Sequence, residues 1–366
     1  MKDVPSTVRM SLMHDNRNLI VRHQRISPMK SLILLPFLLA VTFANPALAV
    51  IVAGASGGGN TTSHTTQAQF ENIYSIPLPV YNNVISYAGA SGIYLGYNAT
   101  THDVWVLTAR HIGSDVTQGA TVTIGGLTYN RQPEGSGGFG LLPGGDLRLV
   151  RYKRPDLAVP TLPAVNISTS IPTAGTALLM VGYGQNRTEI AATVASIPDA
   201  TSVSVGTGYH WTGPNIKRWG TNQIEAEFYD GFESIGPISG PKGTFSMGTY
   251  NTVGYMTDFD QPASNQWLTS DEAQGSVGDS GGSAFYYSGS GWVLSGIFTA
   301  VAGFSGQAAN TSAFGNVSLL TDVASYSTAI NSALGGITLV PEPEISMLFL
   351  LASGALFTRR RRSTLV

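Results

Sequence analysis

Short apolar runs broken by Gly, Ser, Asn and Pro recur from Phe70 onward, at lengths and spacings that suit half-buried strands better than helices. The clearest are Gly92 to Tyr97, Val104 to Thr108, Ala120 to Ile124, Leu147 to Tyr152, Ala177 to Val181, Gln223 to Phe228, Ser283 to Tyr287 and Trp292 to Phe298. Many short strands joined by turns predict an all-β barrel or sandwich. A helical period emerges only from Thr321, where Val323, Tyr326, Ile330 and Leu334 fall three or four residues apart, and predicts one amphipathic helix that closes the domain. Residues 50–69 are mostly Gly, Ser, Thr and Asn with few apolar residues, too little to order the segment by itself, which predicts a flexible arm. The path of residues 186–275 is the least predictable, and Trp211, Trp219 and Tyr229 within it are read as packing residues.

Two longer apolar runs stand apart, one near each end. Lys30 precedes Leu32 to Ala44, which is followed by Ala47-Leu48-Ala49, the small-x-small pattern that signal peptidase accepts. Residues 1–49 are therefore expected to be a leader and signal peptide, with Met29 a candidate start. The run is too short for the ~20 apolar residues of a spanning helix. At the other end, Val340-Pro341-Glu342-Pro343, the apolar stretch Ile345 to Phe357 and Arg359 to Arg362 stand in that order. Residues 337–366 resemble the PEP-CTERM sorting signal of Gram-negative bacteria, which implies processing by an exosortase-type enzyme and transient contact with the inner membrane. The alternative is a plain C-terminal anchor. Either way the terminal arginines suit the cytoplasmic face and the body lies outside it, in the cell envelope or beyond.

Setting those ends aside changes the charge picture. The net charge of −2 over 366 residues becomes −8 for residues 50–340, from ten basic and eighteen acidic side chains. A body this acidic repels phosphate backbones, so no nucleic-acid partner is expected. Cysteine is absent, so stability must come from a core of sufficient size, and thiolate ligation of zinc or iron–sulfur clusters is excluded. No cofactor or metal is expected. There is no H-E-x-x-H, and the acidic pairs Asp258/Asp260 and Asp271/Glu272 read as solvated turn residues.

The most informative segment is Gly278-Asp279-Ser280-Gly281-Gly282. Flanking glycines allow a sharp turn and close approach, and successive amides there can point at one oxygen. Serine needs a base to become a nucleophile, and that base needs an orienting group. His111 ends the apolar run Val104 to Thr108, whereas His64 lies in the arm and His102 and His210 lie in polar segments, so His111 is the candidate base. Asp146 enters the run Leu147 to Tyr152 and is the candidate orienter, with Asp156 as competitor.

Thr108-Ala109-Arg110-His111, Asp146-Leu147-Arg148-Leu149-Val150 and the serine pentad, in that order, resemble the trypsin/chymotrypsin family of serine proteases. Ala174-Gly175-Thr176, Gly182-Tyr183-Gly184, Gly296 to Thr299 and the closing helix add lesser matches, so the resemblance spans roughly residues 70–335. The resemblance selects Asp146 over Asp156. It implies two packed six-stranded antiparallel barrels, residues 70–181 with His111 and Asp146 and residues 182–336 with Ser280 and the helix. It also implies an oxyanion hole at the N–H groups of Gly278 and Ser280, and an ion pair between Asp279 and a newly cut N-terminal ammonium, for which Val50 is the candidate. Gln274 stands where trypsin-like enzymes carry a pocket-floor aspartate, so Lys/Arg specificity is not implied. Thr299 and Val301 are the other pocket candidates, and Val301 suggests a shallow pocket for small or medium apolar side chains.

A serine endopeptidase is thus the expected function, with protein or peptide as substrate. The pentad also satisfies G-x-S-x-G of α/β-hydrolases, but that fold needs its histidine after the serine and none follows Ser280. The remaining alternative is an inactive trypsin-fold binding protein of the extracellular matrix.

Overall fold

The computed structural model describes residues 50–53, 64–112, 120–133, 140–187, 192–193, 207–212, 215–225, 242–247, 250–260, 271–304 and 307–335. The leader, the sorting segment and Tyr229 lie outside the described residues. The architecture is all-β with few helices. Among the described residues no helix is long and apolar enough to cross a membrane.

The first sheet runs through Val84–Tyr87, Ala90–Tyr97, Val104–Thr108, Arg148–Lys153, Leu127–Arg131 and Thr121–Ile124, with the two-residue strand Gly140–Leu141 added beside Arg148–Lys153. Its two edge strands approach each other, so the sheet curls toward a barrel. Val104–Thr108 is buried along its whole length because it lies at the centre of the sheet with both faces covered. Ile85, Tyr94, Val106, Ile124, Tyr129, Val150 and Tyr152 fill the inside.

The second sheet orders Arg218–Gln223, Ala177–Gly182, Ser283–Tyr287, Trp292–Ala302, Val317–Asp322, Asn251–Asp258 and Gly243–Ser246. It also closes on itself, because Glu225 N–H, just past the first strand of that path, donates to Met256 O at 3.1 Å. A separate core joins the two sheets. It takes Leu95, Trp105 and Leu149 from the first, Leu179, Val181, Trp219, Phe285 and Leu294 from the second, and Val323, Tyr326, Ile330 and Leu334 from the chain's end.

That end is a 3₁₀ turn, Val323–Tyr326, capped by Asp322 through the N–H groups of Ala324 and Ser325, followed by the helix Ser327–Leu334. The apolar spacing foretold this helix, though residues 321 and 322 still belong to a strand.

Four expectations are corrected. The flexible arm fails at both ends: Ile51–Val52 pairs antiparallel with Ala273–Gln274, and Val50 to Ala53 are fully buried. Downstream, Thr66 and Gln69 form a reciprocal cap that starts the helix Gln67–Tyr74, whose Phe70 packs edge-on against Trp219 and Trp292. Four apolar residues suffice at 50–53 because a preformed groove supplies their partners. The boundary at 181/182 also moves. Ala177–Gly182 belongs to the second sheet, and Asn166–Ile167 already pairs with Trp292–Ala302, so the crossover lies before residue 166. The strand expected to begin at Gln223 instead ends there, since Arg218 to Gln223 pair with Ala177–Gly182. Finally, Asp271 and Glu272 are not solvated: Asp271 accepts from Tyr74 and contacts His64 Nε2 at 2.7 Å, and Glu272 is buried beside Thr221. Trp211 and Trp219 are packing residues, as their composition suggested.

Candidate active site

Strand Val104–Thr108 delivers His111 just past its end, and the turn before Arg148–Lys153 delivers Asp146. These strands are hydrogen-bonded neighbours in register Thr108 to Arg148, so the two side chains emerge side by side. His111 Nδ1 lies 2.8 Å from Asp146 Oδ2, and His111 N–H donates to Asp146 Oδ1 at 3.1 Å. The aspartate is fully buried. A buried carboxylate is costly unless its lone pairs are answered, and here both oxygens are. The far ring nitrogen, His111 Nε2, is buried and has no hydrogen-bond partner in the structure. The competing aspartate goes elsewhere: Asp156 is exposed and held by Arg154 Nε at 2.9 Å and Nη2 at 2.8 Å, which lowers its pKa to about 2.

The serine loop is pinned to the same strand ends. Ser91 N–H donates to Ser280 O at 3.0 Å, Ser91 Oγ donates to Gly278 O at 2.8 Å, and Thr108 Oγ donates to Ser91 O at 2.7 Å. Thr108 lies three residues before His111, so the second-sheet loop and the first-sheet histidine share one scaffold. Gly281 sits in this contact at φ +80°, where an added Cβ would lie 2.1 Å from Ser91 O and 2.3 Å from Thr108 Oγ. Only glycine fits there.

Asp279 turns inward. Its Oδ2 accepts from Ser276 N–H at 2.8 Å and Ser276 Oγ at 3.0 Å, while Oδ1 has no hydrogen-bond partner. Burial raises its pKa well above the usual carboxylate range, against those two bonds and the attraction of Arg218.

Of the pocket candidates, Gln274 is buried and pairs with Ile51, Val301 is half-buried, and Thr299 directs its hydroxyl to Thr321 Oγ at 2.5 Å inside the second sheet. Sequence reasoning missed two neighbours of this region, Gly275 and Ser318. Gly275 N–H donates to Ser318 Oγ at 2.9 Å, and a Cβ on Gly275 would meet the Phe298 ring at 2.8 Å and Val301 at 3.5 Å. It also missed Ser91 and Tyr250, whose hydroxyl donates to Asp146 Oδ1 at 2.7 Å. Among the described residues no group of three or more His, Cys, Asp or Glu is arranged to hold a metal ion.

No family model and no curated protein matches the sequence. Solved structures with a likeness to the chain include serine and viral proteases. One is a glutamic acid specific serine protease that uses a histidine triad in substrate binding, at 15% identity and TM-score 0.35 over 68% of this chain and 96% of that one. Others are kallikrein-related peptidase 10, at 15%, 0.35, 67% and 89%, and the NS6 protease of murine norovirus 1, at 13%, 0.35, 69% and 96%.

Proposed function

We propose that this chain is a serine endopeptidase in which Ser280 is the nucleophile, His111 the general base and Asp146 the orienting carboxylate. The observation that carries the reading is the buried Asp146 bound to Nδ1 of His111, beside a serine loop anchored three residues from that histidine. Ser280 Oγ attacks the scissile carbonyl carbon and its proton passes to His111 Nε2. Asp146 stabilises the imidazolium through the Nδ1 contact. The oxyanion is held by the N–H groups of Gly278 and Ser280, donors of a kind worth ~2.7 to 4 kcal/mol each in such sites. His111 then returns the proton to the leaving amine, and water attacks the acyl-enzyme by the same route. In this reading the side chain before the scissile bond is received near Gln274, Thr299 and Val301, and is small or medium and apolar.

The protein is exported, its leader is cut after Ala49, and its C-terminal segment is removed by an exosortase-type enzyme. Cleavage there makes Val50 the first residue. Its ammonium answers the unpartnered Asp279 Oδ1 and switches the site on. The burial of Val50 and the pairing of Ile51 with Gln274, five residues before Asp279, support this step. Adding one or two residues before Val50, and separately making Asp279→Asn, should each lower activity; undiminished turnover of the extended form removes the ammonium from the mechanism. Intact-mass analysis of the secreted form decides the C-terminal processing.

A fluorophosphonate probe tests the central reading. It should label Ser280 in the wild type and leave Ser280→Ala unlabelled. A folded chain beginning at Val50 that the probe does not label leaves a binding protein instead.

A further inference from the structure

Asp146 sits where the two sheets meet, and the second sheet holds it as firmly as the first. Tyr250 stands at the start of strand Asn251–Asp258, where Met247 N–H donates to Tyr250 O at 2.8 Å and closes the hairpin from Gly243–Ser246. From there its hydroxyl reaches Asp146 Oδ1 at 2.7 Å, sharing that oxygen with His111 N–H. Asp146 N–H donates in turn to Thr252 Oγ at 3.1 Å, and Thr252, Thr321 and Thr299 continue as a chain of hydroxyl contacts at 3.1 and 2.5 Å. The Tyr250 ring is covered by the Arg110 guanidinium, 4.2 Å from the ring centroid. Arg110 directly precedes His111, so the base, its aspartate and the tyrosine form one closed circuit across the sheet boundary.

A carboxylate rotates about its Cβ–Cγ bond unless both oxygens are fixed. His111 Nδ1 and N–H hold Asp146 from one residue only, and the tyrosine adds a third donor from another direction. The phenol can serve only while protonated. Burial first, then the neighbouring Asp146 charge and the hydrogen bond to it, push its pKa up, against the pull of Arg110. The titratable and charged groups of this cluster are His111 from the first sheet's strand end, Asp146 from the turn, Tyr250 from the hairpin and Arg110 on its ring.

We propose that Tyr250 is a positioning residue for the His111–Asp146 pair, donating to Asp146 Oδ1 so that Oδ2 stays aimed at Nδ1. The proposal rests on the protease reading for its kinetic consequence. A tyrosine on the second sheet then makes the readiness of the first-sheet pair depend on how the sheets dock.

The test uses the processed chain beginning at Val50 with Tyr250→Phe, which keeps the ring and its Arg110 contact and removes the hydroxyl. Two signals are read: the pH profile of fluorophosphonate labelling at Ser280, and the NMR resonance of the His111 Nδ1 proton. Labelling should slow about tenfold, the scale of one hydrogen bond to a charged group. The acid limb should move to higher pH, because a carboxylate relieved of a donor holds the imidazolium more tightly. The Nδ1 resonance should shift. Placing 3-fluorotyrosine at position 250 keeps size and fold while making the hydroxyl a stronger donor, and should move the acid limb the opposite way. Unchanged labelling, pH profile and Nδ1 resonance in Tyr250→Phe would overturn the proposal. A wild type that never reacts with the probe sinks the protease reading separately, while a Nδ1 resonance that still moves in Tyr250→Phe upholds the contact.

Discussion

In the proposed mechanism Ser280, His111 and Asp146 act as one unit, so their substitutions should not add. Ser280→Ala and His111→Ala should each abolish peptidase activity, and the double variant should be no worse than either, as steady-state kinetics on a peptide library would read. Asp146→Asn should retain a trace while losing orders of magnitude, because an amide at that position favours the wrong imidazole tautomer. Full activity there would remove Asp146 from the mechanism. Gly281 makes a different kind of prediction. Its positive φ and the Ser91 and Thr108 oxygens beside it leave no room for a methyl group, so Gly281→Ala should cost roughly 2 to 3 kcal/mol in denaturant unfolding and also slow probe labelling. The serine loop is legible in the sequence because the chemistry confines glycine and serine to adjacent positions. Tyr250 is not, because 104 residues separate it from Asp146 and it stands in a polar stretch with no pattern around it.

At the scale of elements, the short strand Ile51–Val52 carries more than its length suggests. Ile51 packs in a cluster with Tyr209, Trp211, Phe259 and Phe314, and its neighbour Val52 packs against Leu178, Met180 and Ala273 on the other face. Both are fully buried, so Ile51→Ala should lower stability by about 2 to 5 kcal/mol, measured as a shift in denaturant midpoint without change in slope. A change within a few tenths of a kcal/mol would mean that the strand is only loosely seated. Composition predicts an arm here because Ser, Gly, Thr and Asn dominate the residues just after the strand. Local composition reports what a segment can bury by itself. It does not report a groove that other strands have already built. Strands with a clear apolar run of their own, such as Val104–Thr108 and Ser283–Tyr287, are legible to the residue for the opposite reason.

For the molecule as a whole, three half-buried carboxyls of the second sheet contribute a pH dependence to stability. Burial first, then Asp258 and Asp260, raise the Glu225 pKa to about 8; burial, then Asp260, raise Asp258 to about 7. Asp260 is raised as well, by burial. Each raised carboxyl keeps its proton in the folded state over a range where the unfolded chain has already lost it. The folded state therefore binds more protons, and stability falls as pH rises from the ordinary carboxylate range through about 8. Thermal melts between pH 5 and 8.5 should show the midpoint dropping by several degrees. Glu225→Gln should flatten that slope while keeping the low-pH midpoint. A wild-type midpoint that rises over this interval would mean that these carboxyls are ionised in the fold. An acidic pair ordinarily marks an exposed turn, whereas Asp258 and Asp260 are each half-buried, at the end of strand Asn251–Asp258 and just past it.

The sequence by itself determined the all-β class, the closing helix, the absence of disulfides and the order of histidine, aspartate and serine along the chain. Those features depend on local alternation, composition and residue type, which need no knowledge of distant neighbours. Tertiary structure alone decided that residues 50–53 are interior, that Asp271 binds His64 and Tyr74, and that Tyr250 reaches Asp146. Each of these joins residues that are far apart in the chain or hides a polar group that looks exposed. Both depend on where closed sheets bring their edges together, and no local pattern of side chains encodes that meeting.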